Sequence, residues 1–223
     1  MGNEEKLGAL ILALLLFSVA VSLVPTSLKY KYGTGSIPLP WMTGKGSYSG
    51  SIPSDTISLI VDMGQVDVTG DPSIQEPNIV MEGVSPVVEE RTGRMVAGRL
   101  ALHLPDGWDG ELRVKMGMGA ITLRDVPVRS LSVELGVGSV DGSLEVKENV
   151  SVRTDKGSVK LTIYVPEDVK VHVKVKALEG SIYYDGEKVE GGTIERTFGH
   201  GERVVNVEVD SYSVQLDLRR GKG

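Results

Sequence analysis

Between residues 56 and 220 apolar and polar positions alternate in short bursts, and the phase of the alternation keeps switching. Leu112, Val114 and Met116 lead to Ile121 and Leu123, so the apolar set moves from even to odd numbers. A parity switch likewise takes Leu131, Val133 and Leu135 to Val140, odd to even, and Val150, Val152 and Thr154 to Val159 and Leu161, even to odd. It recurs from Val171, Val173, Val175 and Ala177 to Ile182, and from Val205, Val207 and Val209 to Val214, Leu216 and Leu218. Side chains in a strand alternate faces with period two, so an odd step cannot lie within one straight strand. In these five copies the gap across the switch is five residues (116 to 121, for example), which predicts a corner that keeps both flanking apolar faces inward.

A small-residue turn marks each corner. Gly64-Gln65-Val66, Gly119-Ala120-Ile121, Gly138-Ser139-Val140, Gly157-Ser158-Val159 and Gly180-Ser181-Ile182 share it, and Tyr212-Ser213-Val214 keeps it without glycine. The middle copies lie 19 residues apart, and the later spacings stretch to 23 and 32. Gly64, Gly119, Gly138, Gly157 and Gly180 are therefore the expected structural turn residues, because glycine accepts φ > 0 and has no side chain to strike the coil above. The first copy, read with Val61 and Met63 before Val66, is two residues shorter at its corner.

The expected fold class is all-β, a single-domain β-solenoid-like stack of short strands over 56–220, with coils about 4.8 Å apart. An antiparallel sandwich of hairpins is the alternative. Overlaying the turns puts Asp62, Lys115, Glu134, Arg153, Lys176 and Glu208 in one outward column. Only the Arg153 to Lys176 step pairs like charges, which favours stacked coils. Residues 70–110 and 187–204 hold further strand-like pieces, expected to project from the stack as hairpins or loops. The last copy, ending Gln215 to Arg220, is polar and lacks glycine, as a cap would be.

The N-terminus follows another rule. After a tail at 1–6, Leu7 to Val24 run unbroken as apolar or small residues before Pro25. At 1.5 Å per residue about 18 residues reach roughly 27 Å, close to the bilayer core. Residues 7–25 are read as a transmembrane helix or signal anchor, with membrane lipid as its partner. A cleaved signal peptide is the other reading, since Ala20-Val21-Ser22 has the small-x-small pattern. Residues 26–55, rich in Gly, Ser, Pro and Tyr, read as a stalk. Lys29 and Lys31 would weakly hold the domain in the cytoplasm. The terminal position of the apolar run favours a single-pass protein of the cell membrane with its domain outside.

Composition narrows the function. A net charge of −6 argues against nucleic acid as a partner. The absence of cysteine excludes disulfides, thiolate metal sites and cysteine nucleophiles. His103, His172 and His200 have no metal-ligand spacing, and no His-Glu-x-x-His string occurs. Asp106, Asp109 and Glu111 could gather around calcium but read first as a turn, and so does Gly199-His200-Gly201-Glu202. Lys170, Lys174 and Lys176 make a short basic stripe that reads as a solvated strand face. Asn149-Val150-Ser151 is a glycosylation sequon. No catalytic, cofactor-binding or metal residue is assigned, and no cofactor is expected.

The stretch ELRVKMGMGAITLRDVPVRSLSVELGVGSVDGSLEV, followed by GSVKLTIYVPEDVKVHVKVKALEGSIYYDG, resembles the toast-rack β-solenoid superfamily. That group includes an adhesin family of unknown function and the C-terminal domain of LiaF-type envelope-stress proteins. The resemblance spans roughly residues 55–220 and implies a non-enzymatic scaffold or sensor at the cell envelope. A single apolar segment departs from the LiaF type, which has several. The expected function is a membrane-anchored surface scaffold, adhesion or self-assembly module that self-associates or meets an envelope protein. A cytoplasm-facing sensor of envelope stress is the alternative.

Overall fold

The computed structural model describes residues 45–221. The apolar run at 7–25, and the anchor, orientation and lipid contact expected of it, lie outside the described residues. All ten strands belong to one sheet, and no helix occurs among the described residues. The strands are β1 (Lys45–Ser51), β2 (Thr56–Asp71), β3 (Asn78–Val84), β4 (Val87–Glu89), β5 (Thr92–Pro105), β6 (Glu111–Val165), β7 (Val169–Tyr184), β8 (Glu187–Gly199), β9 (Arg203–Asp210) and β10 (Ser213–Arg220). β1 falls inside the stretch read as a stalk.

The ladders between the inner coils are parallel. β2 pairs with β5 on one side and β6 on the other, β9 with β6 and β7, and β10 with β6 and β7. β6 is not one straight strand, because it climbs over itself. Gly136 stacks on the carbonyl of Gly117, Gly138 on that of Gly119, and Gly157 on that of Gly138, each a step of 19 residues. Closing such a turn takes more than the one corner legible as a five-residue gap. In the turn at 111–129 the buried set runs Leu112, Val114, Met116, then Ile121, Leu123, then Val126, Val128, then Leu131. Parity therefore breaks at three places, and Asp125 bends the second with φ 50°.

The interior holds the alternating residues. Val133, Leu135, Val140, Leu144, Val150, Val152, Val159, Leu161, Val171, Val173, Val175, Ile182, Val205, Val207, Val209, Val214, Leu216 and Leu218 are all buried in one core. Removing each such side chain from water contributes roughly 1.5–3 kcal/mol. Thr154 is buried as well, and its hydroxyl meets that of Ser211 at 2.7 Å, while Ser211 Oγ donates to the Gly157 carbonyl at 3.0 Å. Two buried hydroxyls satisfy each other inside an apolar stack.

Several expectations change. The two stretches thought to project are layers of the stack. β5 is a coil of the same type, with Met95 and Leu100 buried five residues apart around Gly98, and Gly98 pairs with Gly64. β3 and then β1 cover β5 in antiparallel pairing, and β8 covers β7 the same way at the other end. The C-terminal strand β10 is not a cap, because it lies between β6 and β7. The first corner is not short either: Met63 is 52% exposed and aligns with exposed Met118, so the interior gap is again five, from Val61 to Val66. Gly180 is displaced from the turn row. It is buried and pairs with Val214, which pairs with Val159, so it fills an inward position two residues beyond the turn.

The turn glycines that remain are held by conformation and by space. Gly64, Gly98, Gly119 and Gly138 have φ of 144°, 141°, 145° and 145°. A Cβ on Gly119 would stand 1.8 Å from the Gly64 carbonyl oxygen, and one on Gly138 would stand 1.7 Å from that of Gly119. Gly107 also has positive φ, 73°, but nothing lies within 4 Å of a Cβ there. Gly119→Ala is expected to cost about 3 kcal/mol or more, and Gly107→Ala only about 1 kcal/mol. Urea denaturation midpoints check this, and equal losses would contradict the role of close approach.

Candidate functional site

Each turn of the stack buries its repeated residues, so chemistry is left to the outer faces, the exposed corner and the free strand edges. On the outer face one column of charges runs along the stack. Lys115 Nζ lies 3.0 Å from Glu134 Oε2, Arg153 stands opposite Asp210, and Asp210 opposite Lys176. Because β9 enters between β6 and β7, Asp210 separates the two cations that a sequential overlay leaves adjacent. Asp62 and Glu208 drop out of the column: Asp62 lies under Gly117, and Glu208 meets Lys174 at 3.7 Å. Of the basic stripe Lys170, Lys174 and Lys176, the last two are thus countered by carboxylates on β9, while Lys170 stands opposite Val204.

Several charged side chains elsewhere also find partners. Asp67 is buried, and its carboxylate accepts from Arg99 Nε at 2.9 Å and from Gln65 Nε2 at 3.0 Å. A buried carboxylate without such donors would be strongly destabilising, so this pair ties β2 to β5. Asp109 pairs with Lys147 at 3.3 Å, and Glu111 holds Arg113 in a two-pronged bond at 2.8 and 3.0 Å. Trp108, just before Asp109, gives its indole N–H to the Ser54 carbonyl at 3.1 Å. The three carboxylates Asp106, Asp109 and Glu111 do not converge, and no group of three metal-ligating side chains occurs among the described residues.

His103 stands 4.0 Å from Asp71. His172 has Thr197 at 3.2 Å from Nδ1 and Glu195 at 3.7 Å from Nε2. Residues 200–202, which include His200, are not a hairpin turn. They cross the start of β7, carrying the chain from β8 on one side to β9 on the other, and Gly201 passes tightly over the Asp168 carbonyl. Asn149 of the sequon is exposed and faces Asn206, whose side-chain amide donates to it at 3.2 Å.

Two features stand out among the described residues. At the corner Met63, Met118 and Val137 line up as exposed apolar side chains, with Tyr212 and Leu178 one position over. Beside the last two is an open depression of about 450 Å³ lined by Leu178, Glu179, Ser181, Glu190 and Gln215. The other feature is the outer edge of β1, which no strand among the described residues covers. The corner is visible in sequence once its five-residue gap is seen. The edge is not, since β1 owes its conformation to β3.

Hydrogen bonding from Arg113 holds the Glu111 carboxyl below its ordinary value of 4.5, with the charges of Arg113 and Arg129 adding to it. A lowered folded-state pKa stabilises the native state above the unfolded value and loses that contribution as pH falls through the folded one. Glu111→Gln is expected to lower the urea midpoint slightly at pH near 7, with the gap closing below about pH 4. A gap that persists in acid would show the effect to be independent of charge.

No family model matches the chain, and no curated protein sequence does. Among solved structures the fold is similar to a "putative cell adhesion protein" from Clostridium sporogenes, at 14% identity and a TM-score of 0.49, covering 80% of this chain and 100% of that one. It is also similar to a "putative adhesin" from Bacteroides fragilis, at 9% identity and a TM-score of 0.33, covering 78% and 97% of the two chains. A third similarity is to a "putative adhesin" from Parabacteroides merdae, at 8% identity and a TM-score of 0.21, covering 79% and 93%.

Proposed function

We propose that the chain is a non-enzymatic surface module, held to the cell membrane by residues 7–25 and displaying a rigid β-stack outside. The observation that supports this most is the use of the repeat. Its recurring apolar residues fill the interior, and its recurring glycines allow one backbone to lie on the next. A fold that spends its periodic residues on stacking offers partners only its outer faces, its apolar corner and its end strands. Those are features of scaffolding and adhesion rather than of turnover. The toast-rack resemblance points the same way. A cytoplasm-facing sensor draws support from Lys29 and Lys31 beyond the apolar run.

The chain has no cysteine, so one introduced at an exposed site reports its compartment without background. In intact cells, full-length Glu202→Cys is expected to react with a membrane-impermeant maleimide. The mature protein is expected to keep Leu7 to Val24 when its N-terminus is sequenced. Labelling only after permeabilisation would overturn the outside placement in favour of the sensor, and loss of the apolar run would overturn the anchor.

A further inference from the structure

We propose that two copies of the chain join through the outer edge of β1, antiparallel about Tyr48, to form a closed dimer. This rests on the reading of the stack as a scaffold and names how it associates. β1 ends the sheet path, with β3 on its inner side through seven consecutive antiparallel pairs. An uncovered edge presents a row of N–H and C=O groups that another strand can pair with, unless charges, proline or a bulge prevent it. The opposite end is protected in that way. β8 carries Glu187, Lys188, Glu190, Glu195 and Arg196, and its ladder with β7 shifts register between Lys176 and Gly180. β1 has neither proline nor bulge, and its single charge, Lys45, stands at its first position.

The sequence of β1 identifies the occupant. Gly46-Ser47-Tyr48-Ser49-Gly50 reads the same in both directions. Antiparallel pairing with a second copy about Tyr48 sets Gly46 opposite Gly50, Ser47 opposite Ser49, and Tyr48 opposite Tyr48. Lys45 then faces Ser51, so no like charges oppose each other. The two faces of the strand fit this register. Tyr48 packs against the core with its hydroxyl over Gly50, while Ser47, Ser49 and Ser51 are exposed. Across the new edge serine hydroxyls would meet on the outer face, a favourable cross-strand pairing. On the inner face each Tyr48 ring lies over its own Gly50, so in the antiparallel pair the two rings lean away from each other. A slip of one residue would set serine against tyrosine or glycine and reverse the faces. Because the same patch serves both partners, the contact closes at two copies, whereas β1 joined to β8 would propagate as a filament.

The test uses the full chain in detergent micelles. Ser47→Cys and Ser49→Cys, prepared separately, mixed and mildly oxidised, are expected to give the 47–49 disulfide in several-fold excess over either like pair, since only directly opposite residues reach disulfide geometry. The wild-type mass is expected to double with concentration and to rise no further. Ser47→Lys with Ser49→Lys sets lysines opposite each other at two places and is expected to weaken the dimer about tenfold. Ser47→Lys with Ser49→Glu is expected to restore it. Neither variant threatens β3, because Ser47 faces Glu82 and Ser49 faces Val80. A constant monomer mass would overturn the proposal, as would cross-links from residue 47 to a cysteine at Glu190→Cys on β8. The maleimide experiment is separate: outside labelling without dimers defeats only the pairing, and dimers with inside labelling defeat only the surface placement.

Discussion

The structure depends on how closely one backbone can lie on another at the glycine corner. Adjacent coils must sit at hydrogen-bonding distance along their whole length, about 4.8 Å. A bend that points a Cβ at the neighbouring carbonyl would hold the coils apart there. Ideal Cβ atoms at Gly64, Gly119, Gly138 and Gly157 would lie 1.9, 1.8, 1.7 and 2.2 Å from carbonyl oxygens of the layer they stack on. The glycine row therefore permits the pitch that the hydrogen-bonded ladders require. Every other pairing follows, from the alternating valines and leucines inside to Lys115 against Glu134 outside.

Parity in the sequence identifies the face of a residue but not the layer it occupies, and this divides what was legible from what was not. The inward positions could be read from Leu112 through Leu218 because alternation reports burial directly. Stacking order could not, since each coil presents nearly the same ladder to a neighbour. β5 shows the limit. Met95 and Leu100 carry the five-residue gap, but Ala97-Gly98-Arg99 lacks the small-residue signature, and Arg99 is there for Asp67. Gly180-Ser181-Ile182 shows the reverse error, a matching string two residues out of place, because Val175 to Gly180 already spans the corner. Met63 alternates correctly with Val61 yet faces solvent, since the bend begins before it.

The outer surface follows from stacking order as well. A sequential overlay leaves Arg153 beside Lys176, a repulsive step. Placing β9 between them interposes Asp210 and converts the column into alternating signs. The candidate surface at β1 was hidden for a related reason. Gly and Ser are weak strand formers, so KGSYSGS reads as a linker until β3 offers its edge. Ladder geometry, rather than side-chain propensity, makes that segment a strand.

The order of the layers also bears on how the stack holds together. In a simple solenoid each unit touches only its neighbours in sequence, and stability is a sum of local terms. Here no ladder joins β6 to β7 directly; the gap between them is filled by β9 and β10, which arrive only after the chain has gone on to β8 and crossed back at residues 200–202. The other end repeats the pattern, with β5 laid outside β2 before β6 is laid inside it. The last strand is thus an inner layer rather than a dispensable cap. Its apolar side chains Val214, Leu216 and Leu218 bury against both neighbours, so losing it would leave β9 alone to join β7 and β8 to β6. Non-local closure of this kind slows folding, because distant segments must meet before the layers between them gain any contact. In return, the inner layers β9 and β10 are each held by coils on both sides.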